Sequence, residues 1–156
     1  MVQKIGGDIK KDDSVDNLIT LEYKLGLDRV DTLSRFNTKI NTIRDKLQKL
    51  IYSLKKEGKT IAGFGAPTKA TTLMAHFGLD ETMLDFIVDD NPLKQELFTP
   101  ITHIPVLSSE ALYDRKPDYL LILAWNFSEP IMKMHEKYSD EIGKFIIPMP
   151  EPKVVS

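Results

Sequence analysis

Thr60-Ile61-Ala62-Gly63-Phe64-Gly65-Ala66-Pro67-Thr68-Lys69-Ala70 is the stretch whose reading decides the fold. A short, apolar, β-rich run ends in Gly-Phe-Gly. It opens directly onto Thr68 to Phe77, a helical pattern closed by Gly78. Strand, tight glycine turn and helix in immediate succession form the first half of a βαβ unit. The same alternation continues downstream. Leu84 to Val88 is a second strand, stopped by Asp89-Asp90-Asn91-Pro92. Ile104 to Leu107 is a weak third strand, whose Pro105 argues for a sheet edge. Ser108-Ser109-Glu110 is expected to cap a short helix, Ala111 to Arg115. Tyr119 to Ala124 is the fourth and most apolar strand, Ser128 to Tyr138 one amphipathic helix, and Phe145 to Ile147 the fifth strand. The proline-rich tail, Pro148 to Ser156, is expected to be irregular.

Upstream, Val30, Leu33, Phe36, Ile40, Ile43, Leu47, Leu50 and Leu54 recur at alternating steps of three and four, the spacing of one helix face. Asp31 to Glu57 holds no Gly or Pro, and Gly58 supplies a stop. The helix is longer than a small sheet needs as cover. Its stripe therefore either packs on the sheet at one end only, or docks on another domain or on a second copy as a homo-oligomer. Residues 1–27 are expected to be an N-terminal arm, and 28–156 the long helix and the domain that follows.

Strands alternating with helices imply parallel pairing, and near-continuous apolar strands imply a sheet covered on both faces. The expected fold is thus α/β: a Rossmann-like three-layer domain with a five-stranded, mostly parallel sheet in the order 3-2-1-4-5, preceded by the long helix. In such sheets ligands bind at the carboxyl ends of the strands where the winding reverses. Gly65 to Lys69 and Trp125-Asn126-Phe127 should face each other there, with Asp89-Asp90-Asn91 beside them.

The chemistry of that crevice points to an anion. Gly63 and Gly65 permit a tight turn and close backbone approach, leaving Ala66 at its apex. Pro67 suits a first helical turn, whose free amides and dipole favour negative charge. Thr68 can cap or donate its hydroxyl, and Lys69 adds a positive point charge of the kind that binds phosphate. The glycines also have a purely packing explanation, in which they only let strand and helix approach. Trp125 is either a lid on the core or a stacking surface, with Asn126 hydrogen-bonding a ligand. Asp89, Asp90 and Asn91 make a turn, bind ribose hydroxyls, or hold magnesium, for which a third carboxylate is lacking. His103 is the one histidine expected near the crevice, as an acid–base candidate. His76 is expected to be structural or exposed, and His135 to lie on a surface helix. No HExxH or GxSxG pattern occurs.

Composition sets outer limits. The 156 residues suffice for one domain with a core. A net charge of −2 gives no electrostatic footprint for nucleic acid or a membrane surface. The absence of cysteine excludes disulfides and thiol catalysis and suits a cytoplasmic location. The Gly63-Phe64-Gly65-Ala66-Pro67-Thr68 stretch begins like GxGxxG, so an NAD(P)-binding domain is an alternative, although Thr68 stands at the third glycine.

Five stretches in order give a resemblance: Gly58 to Ala70, Asp85 to Gln95 (DFIVDDNPLKQ), Thr102 to Ser108 (THIPVLS), Lys116 to Phe127 (KPDYLLILAWNF) and Gly143 to Pro152 (GKFIIPMPEP). Together they resemble the C-terminal domain of the S-adenosylmethionine-dependent sugar C-methyltransferases. The resemblance implies a chain in three parts, with a zinc module and an S-adenosylmethionine-binding methyltransferase domain preceding a domain like this one. It implies methylation of a ring carbon in a nucleoside-diphosphate keto-deoxysugar, the present domain helping to hold the sugar nucleotide. On that reading the domain itself binds no cofactor and no metal, and works with a methyltransferase domain in cis or in trans. Val2 to Lys10 resembles the last strand of the central domain, where Ile5-Gly6-Gly7-Asp8 replaces the family's His-Gly-Gly-Ser. The missing histidine belongs to the family's proton chemistry. No residue of this chain is therefore expected to be catalytic, and an assembly module without catalysis is a further alternative.

Overall fold

The computed structural model describes residues 4, 6, 7 and 12–156. The readings of Val2 to Lys10 as a remnant strand and of Ile5-Gly6-Gly7-Asp8 fall largely outside them. The chain divides into two compact units, Met1–Ile40 and Asn41–Ser156.

In the first unit, where an arm was expected, Ser14–Leu25 forms a helix, α1. Gly26 ends it in the left-handed region, its N–H and that of Leu27 closing back on the carbonyls of Tyr23 and Glu22. No residue of α1 is buried. The long helix α2, Val30–Lys56, begins in this unit and continues into the second. Leu33 and Phe36, in its first part, are more than half exposed, whereas Ile43, Leu47, Ile51 and Leu54 on the same stripe are buried.

In the second unit, β1 (Ile61–Phe64), β2 (Phe86–Val88), β3 (Leu97–Phe98), β4 (Pro105–Leu107), β5 (Tyr119–Ile122), β6 (Lys144–Ile147) and β7 (Lys153–Val155) form one sheet in the order β3-β4-β2-β1-β5-β6-β7. The expectation of five strands is corrected: among the described residues the sheet has seven and is mixed. The pairs β4–β2, β2–β1, β1–β5 and β5–β6 are parallel, while β3 and β7 add to the two edges antiparallel. Both added strands are short and largely exposed, so neither carries the apolar run that marks a buried strand. The tail expected to be irregular is partly β7.

The central strands are buried on both faces, and their side chains alternate between them. Ala62 and Phe64 point to a cluster that holds Leu112, Ile131 and Tyr138 from the helices α4 (Glu110–Arg115), α5 (Ser128–Met134) and α6 (Glu136–Glu141). α3, Thr68–Phe77, follows β1, and its Phe77 carbonyl accepts a hydrogen bond from Gln48 Nε2 of α2 at 2.7 Å. The single helix expected over Ser128 to Tyr138 is two, broken at His135. Carboxylates clamp the amino ends of the strands. Asp85 accepts the Ile61 N–H at 2.8 Å and the Lys55 ammonium at 3.0 Å, and Asp118 accepts the Thr60 N–H at 2.9 Å. Hydrogen bonds from the Thr60 amide and hydroxyl and from Lys59 hold the Asp118 carboxyl below its ordinary pKa, against desolvation.

Candidate functional site

The register brings the carboxyl ends of three strands to one level: Phe64 lies beside Val88 on one side and Ile122 on the other. The Gly65 N–H donates to the Val88 carbonyl at 2.7 Å and the Leu123 N–H to the Phe64 carbonyl at 3.0 Å. The turns leaving β1, β2 and β5 therefore share one crevice. Gly65 has φ +87°, and an added Cβ would lie 3.1 Å from the Ala124 Cβ, so both conformation and space call for glycine. At Gly63 a Cβ would meet Ile87 Cγ1 at 2.9 Å, which is how β1 passes close to its neighbour.

The start of α3 differs from the expectation in two details. Pro67 is the residue before the helix, extended at φ −73° and ψ 162°, rather than part of its first turn. Thr68 is the first helical residue, and no side chain caps this end. An uncapped first turn leaves backbone amides without intrahelical partners.

Lys69 reaches back across the crevice. Its Nζ donates to Asn126 Oδ1 at 2.7 Å and sits 5.2 Å from the ring centroids of both Trp125 and Phe127. Trp125–Phe127 forms a single 3-10 turn after β5. The lysine is thus steered by one amide and two aromatic faces. Among the described residues no carboxylate is recorded within ion-pair distance of it. Two of its three N–H donors remain for a ligand. Trp125 is half-buried, not sunk in the core, and Asn126 and Phe127 are exposed.

Asp89 closes the other side. It is 7% exposed, and Oδ2 accepts the Ala66 N–H at 2.7 Å and the Lys94 ammonium at 3.0 Å, while Oδ1 accepts the Asn91 N–H at 2.9 Å. Desolvation pushes its pKa up, but the two amides and Lys94 more than offset this, and the carboxyl stays below its ordinary value. One amide of the glycine turn is therefore held by the protein's own carboxylate. Asn91 instead holds the turn after β2, its Oδ1 accepting the Leu93 N–H at 3.0 Å. Asp90 points elsewhere and accepts the Ser109 hydroxyl, which is why Ser109 does not cap α4.

His103 is not brought to this crevice. It lies in the β3–β4 hairpin, exposed, with φ +53° and its ring stacked on Phe98 at 4.3 Å and 3°. Sequence reasoning missed Lys94, and placed Phe127 in the facing loop without a role of its own. Lys94 carries a faint signal, a lysine just beyond the Asp-Asp-Asn-Pro turn that returns to its first carboxylate.

His135, expected on a surface helix, is 5% exposed at the α5–α6 break. Nδ1 lies 3.0 Å from the Tyr113 hydroxyl, the ring packs edge-on against Phe64, and Nε2 has no hydrogen-bond partner. Burial pushes its pKa below the ordinary value, with Asp90 opposing. The folded protein thus favours neutral imidazole, and its contribution to stability is complete above about pH 6.5 and lost as pH falls below that value. Urea midpoints are expected to decline as pH falls below about 6.5, above the carboxylate range. The variant His135→Gln should flatten that slope; an unchanged slope would contradict the assignment.

Among the described residues no group of three or more histidines or carboxylates is placed to hold a metal, and no helix is long and apolar enough to cross a membrane.

Residues 1–150 match the family model described as C-methyltransferase C-terminal domain. A similar protein is "C-methyltransferase NovU" of Streptomyces niveus, 34% identical over 143 residues, which cover 92% of this chain and 34% of that protein. The chain therefore spans about a third of that relative's length. The matched residues include α1 and α2 as well as the sheet up to β6. This chain is a member of the C-methyltransferase C-terminal domain family.

Proposed function

We propose that this domain holds the diphosphate of a nucleoside-diphosphate keto-deoxysugar, as the sugar-nucleotide-binding part of an S-adenosylmethionine-dependent C-methyltransferase. One observation carries the reading: a lysine that Asn126 holds near Trp125 and Phe127, with no carboxylate partner among the described residues, beside an uncapped helix start. The helix end and the ammonium both favour phosphate oxygens. Family membership and the name of NovU support the reaction class, C-methylation, and the five stretches that resemble the sugar C-methyltransferases suggest the substrate class. S-adenosylmethionine would supply the methyl group. Its sulfonium is a cation, and a crevice occupied by Lys69 does not suit it, so the cofactor belongs to another domain, in cis or in trans. On this reading the chain alone transfers no methyl group.

Trp125 is the protein's one tryptophan and lies in the crevice, so its emission reports binding directly. Thymidine diphosphate and a thymidine diphosphate sugar are expected to change it saturably. Lys69→Ala should weaken both by about 10- to 100-fold, the range for a hydrogen bond to a charged group. Tighter binding of NAD or of S-adenosylmethionine than of either nucleotide would contradict the proposal.

A further inference from the structure

The first unit carries more apolar surface than its own chain covers. Every residue of α1 is exposed, and no side chain caps its amino end. A helix of 12 residues is marginal in water without tertiary packing. The opening part of α2 is bare in the same way. Ten large apolar side chains from Val15 to Phe36 are 45% exposed or more. Together they leave uncovered on the order of several hundred Å², the upper end of what a monomer shows. Neither helix covers the other, and the elbow between them is fixed. Gly26, at φ +67°, accepts the Arg29 N–H at 3.1 Å, and a Cβ on it would lie 3.1 Å from Arg29 Cδ.

The two parts differ in charge. Over α1 and the elbow, residues 14–28, Asp16, Glu22 and Asp28 outnumber Lys24; over residues 29–40, Arg29, Arg35 and Lys39 outnumber Asp31. Asp31 is the partner of both arginines, whereas no ion pair of Lys39 is recorded among the described residues. At the elbow lies a hollow of about 390 Å³, lined by Ile19, Tyr23 and Leu27 and by the carboxylates of Glu22 and Asp28. Apolar walls with two carboxylates suit a long cationic side chain, whose stem packs while its tip meets the acids. Lys39 is such a side chain, but in its own copy it stands about 15 Å along α2 from the elbow, out of reach. Only the Lys39 of another copy can enter.

We propose that this face joins two copies of the chain, α1 of each lying along the opening part of α2 of the other, with Lys39 in the elbow hollow of the opposite copy. The lengths match, at about 18 Å for α1 and about 16 Å for residues 30–40. A two-fold arrangement makes each contact twice and sets acidic α1 against the basic start of α2 on both sides. The inference stands apart from the phosphate reading, which concerns the second unit. The bare apolar surface falls short of the roughly 800 Å² that each partner gives a standard interface, so a dissociation constant above about 1 µM is expected. In more dilute solution the copies separate and Phe36 stands uncovered.

Sedimentation of the full 156-residue chain from about 1 µM to about 1 mM, with amide hydrogen exchange at each concentration, tests this. A monomer–dimer equilibrium is expected. Protection of residues 14–25 and 30–40 should rise with the dimer while that of the sheet stays constant. Leu18→Glu and Leu33→Glu, both at exposed positions, should each weaken association at least about tenfold and leave the urea midpoint of the dilute chain unchanged. Lys39→Glu should weaken association about tenfold, and adding Glu22→Lys should restore part of it. A chain that stays monomeric throughout would overturn the proposal. So would a dimer indifferent to these variants, or charge reversal at Glu22 that restores nothing. Protection of α1 gained only when a separate methyltransferase domain is added would assign the face to that domain and equally overturn it.

Discussion

Replacing Asp89 by alanine is expected to lower folding stability by about 3 kcal/mol, because a buried carboxylate that satisfies two amides and an ammonium leaves all three unpaired when removed. The loss should appear as a lower urea midpoint at pH 7 with little change in slope. Asp89→Asn keeps the shape and one acceptor oxygen, so it should recover part of the loss but not the ion pair with Lys94. The pH dependence has a fixed sign. A carboxyl whose folded pKa is depressed stabilises the fold above its unfolded value near 3.9, and that stability is lost as pH falls through its folded pKa. Wild type and Asp89→Ala should therefore converge in stability in strong acid. The same change should act oppositely on ligands. It removes a negative charge next to the start of α3 and frees the Ala66 N–H, so inorganic pyrophosphate should bind more tightly. A variant as stable as wild type at pH 7 would mean that the glycine turn holds its conformation without Asp89.

Leu47→Ala should cost a similar amount, about 3 kcal/mol, since Leu47 is fully buried and its truncation leaves a cavity. Phe36→Ala, on the same stripe of α2 three turns earlier, should change stability by less than about 0.5 kcal/mol, because that side chain is 60% exposed. The pair separates the two meanings of one sequence pattern. A regular apolar stripe says which face of a helix is sticky, but not along what length something covers it. Equal losses at both positions would show that Phe36 is covered in solution, as when the stripe docks on a second copy.

That ambiguity shows how far the sequence could be read. The β1 turn and α3 were legible because a glycine pair, a proline and a helical period coincide within a dozen residues. The strands that pair in parallel at the centre were legible from their apolar runs. β3 and β7 were not: one is two residues long, the other sits in a segment with three prolines, and both gain their ladder partners only from the neighbouring strand. The break at His135 was also hidden, because the apolar period continues across it while the helix does not.

The site was legible as a place more than as a set of contacts. Strand order brings Lys69 and Asn126 together across 57 positions, and the topology alone placed their loops face to face. What no local pattern reveals is that Asp89 turns inward to the Ala66 amide while Asp90 turns to Ser109. Adjacent, chemically identical side chains take different partners because successive residues at a strand end point to opposite faces. His103 was misplaced for a related reason. Without β3, the segment around it had no hairpin to carry it away from the crevice.

The most direct test of the central claim is a titration of the isotopically labelled chain with a thymidine diphosphate sugar, followed by amide chemical shifts. Binding at the crevice predicts the largest changes at Thr68, Lys69, Trp125 and Asn126, saturating together with one affinity. Saturable changes confined to the groove lined by Gln48, Tyr52 and Met83, with the α3 start and the Trp125 turn unmoved, would contradict it.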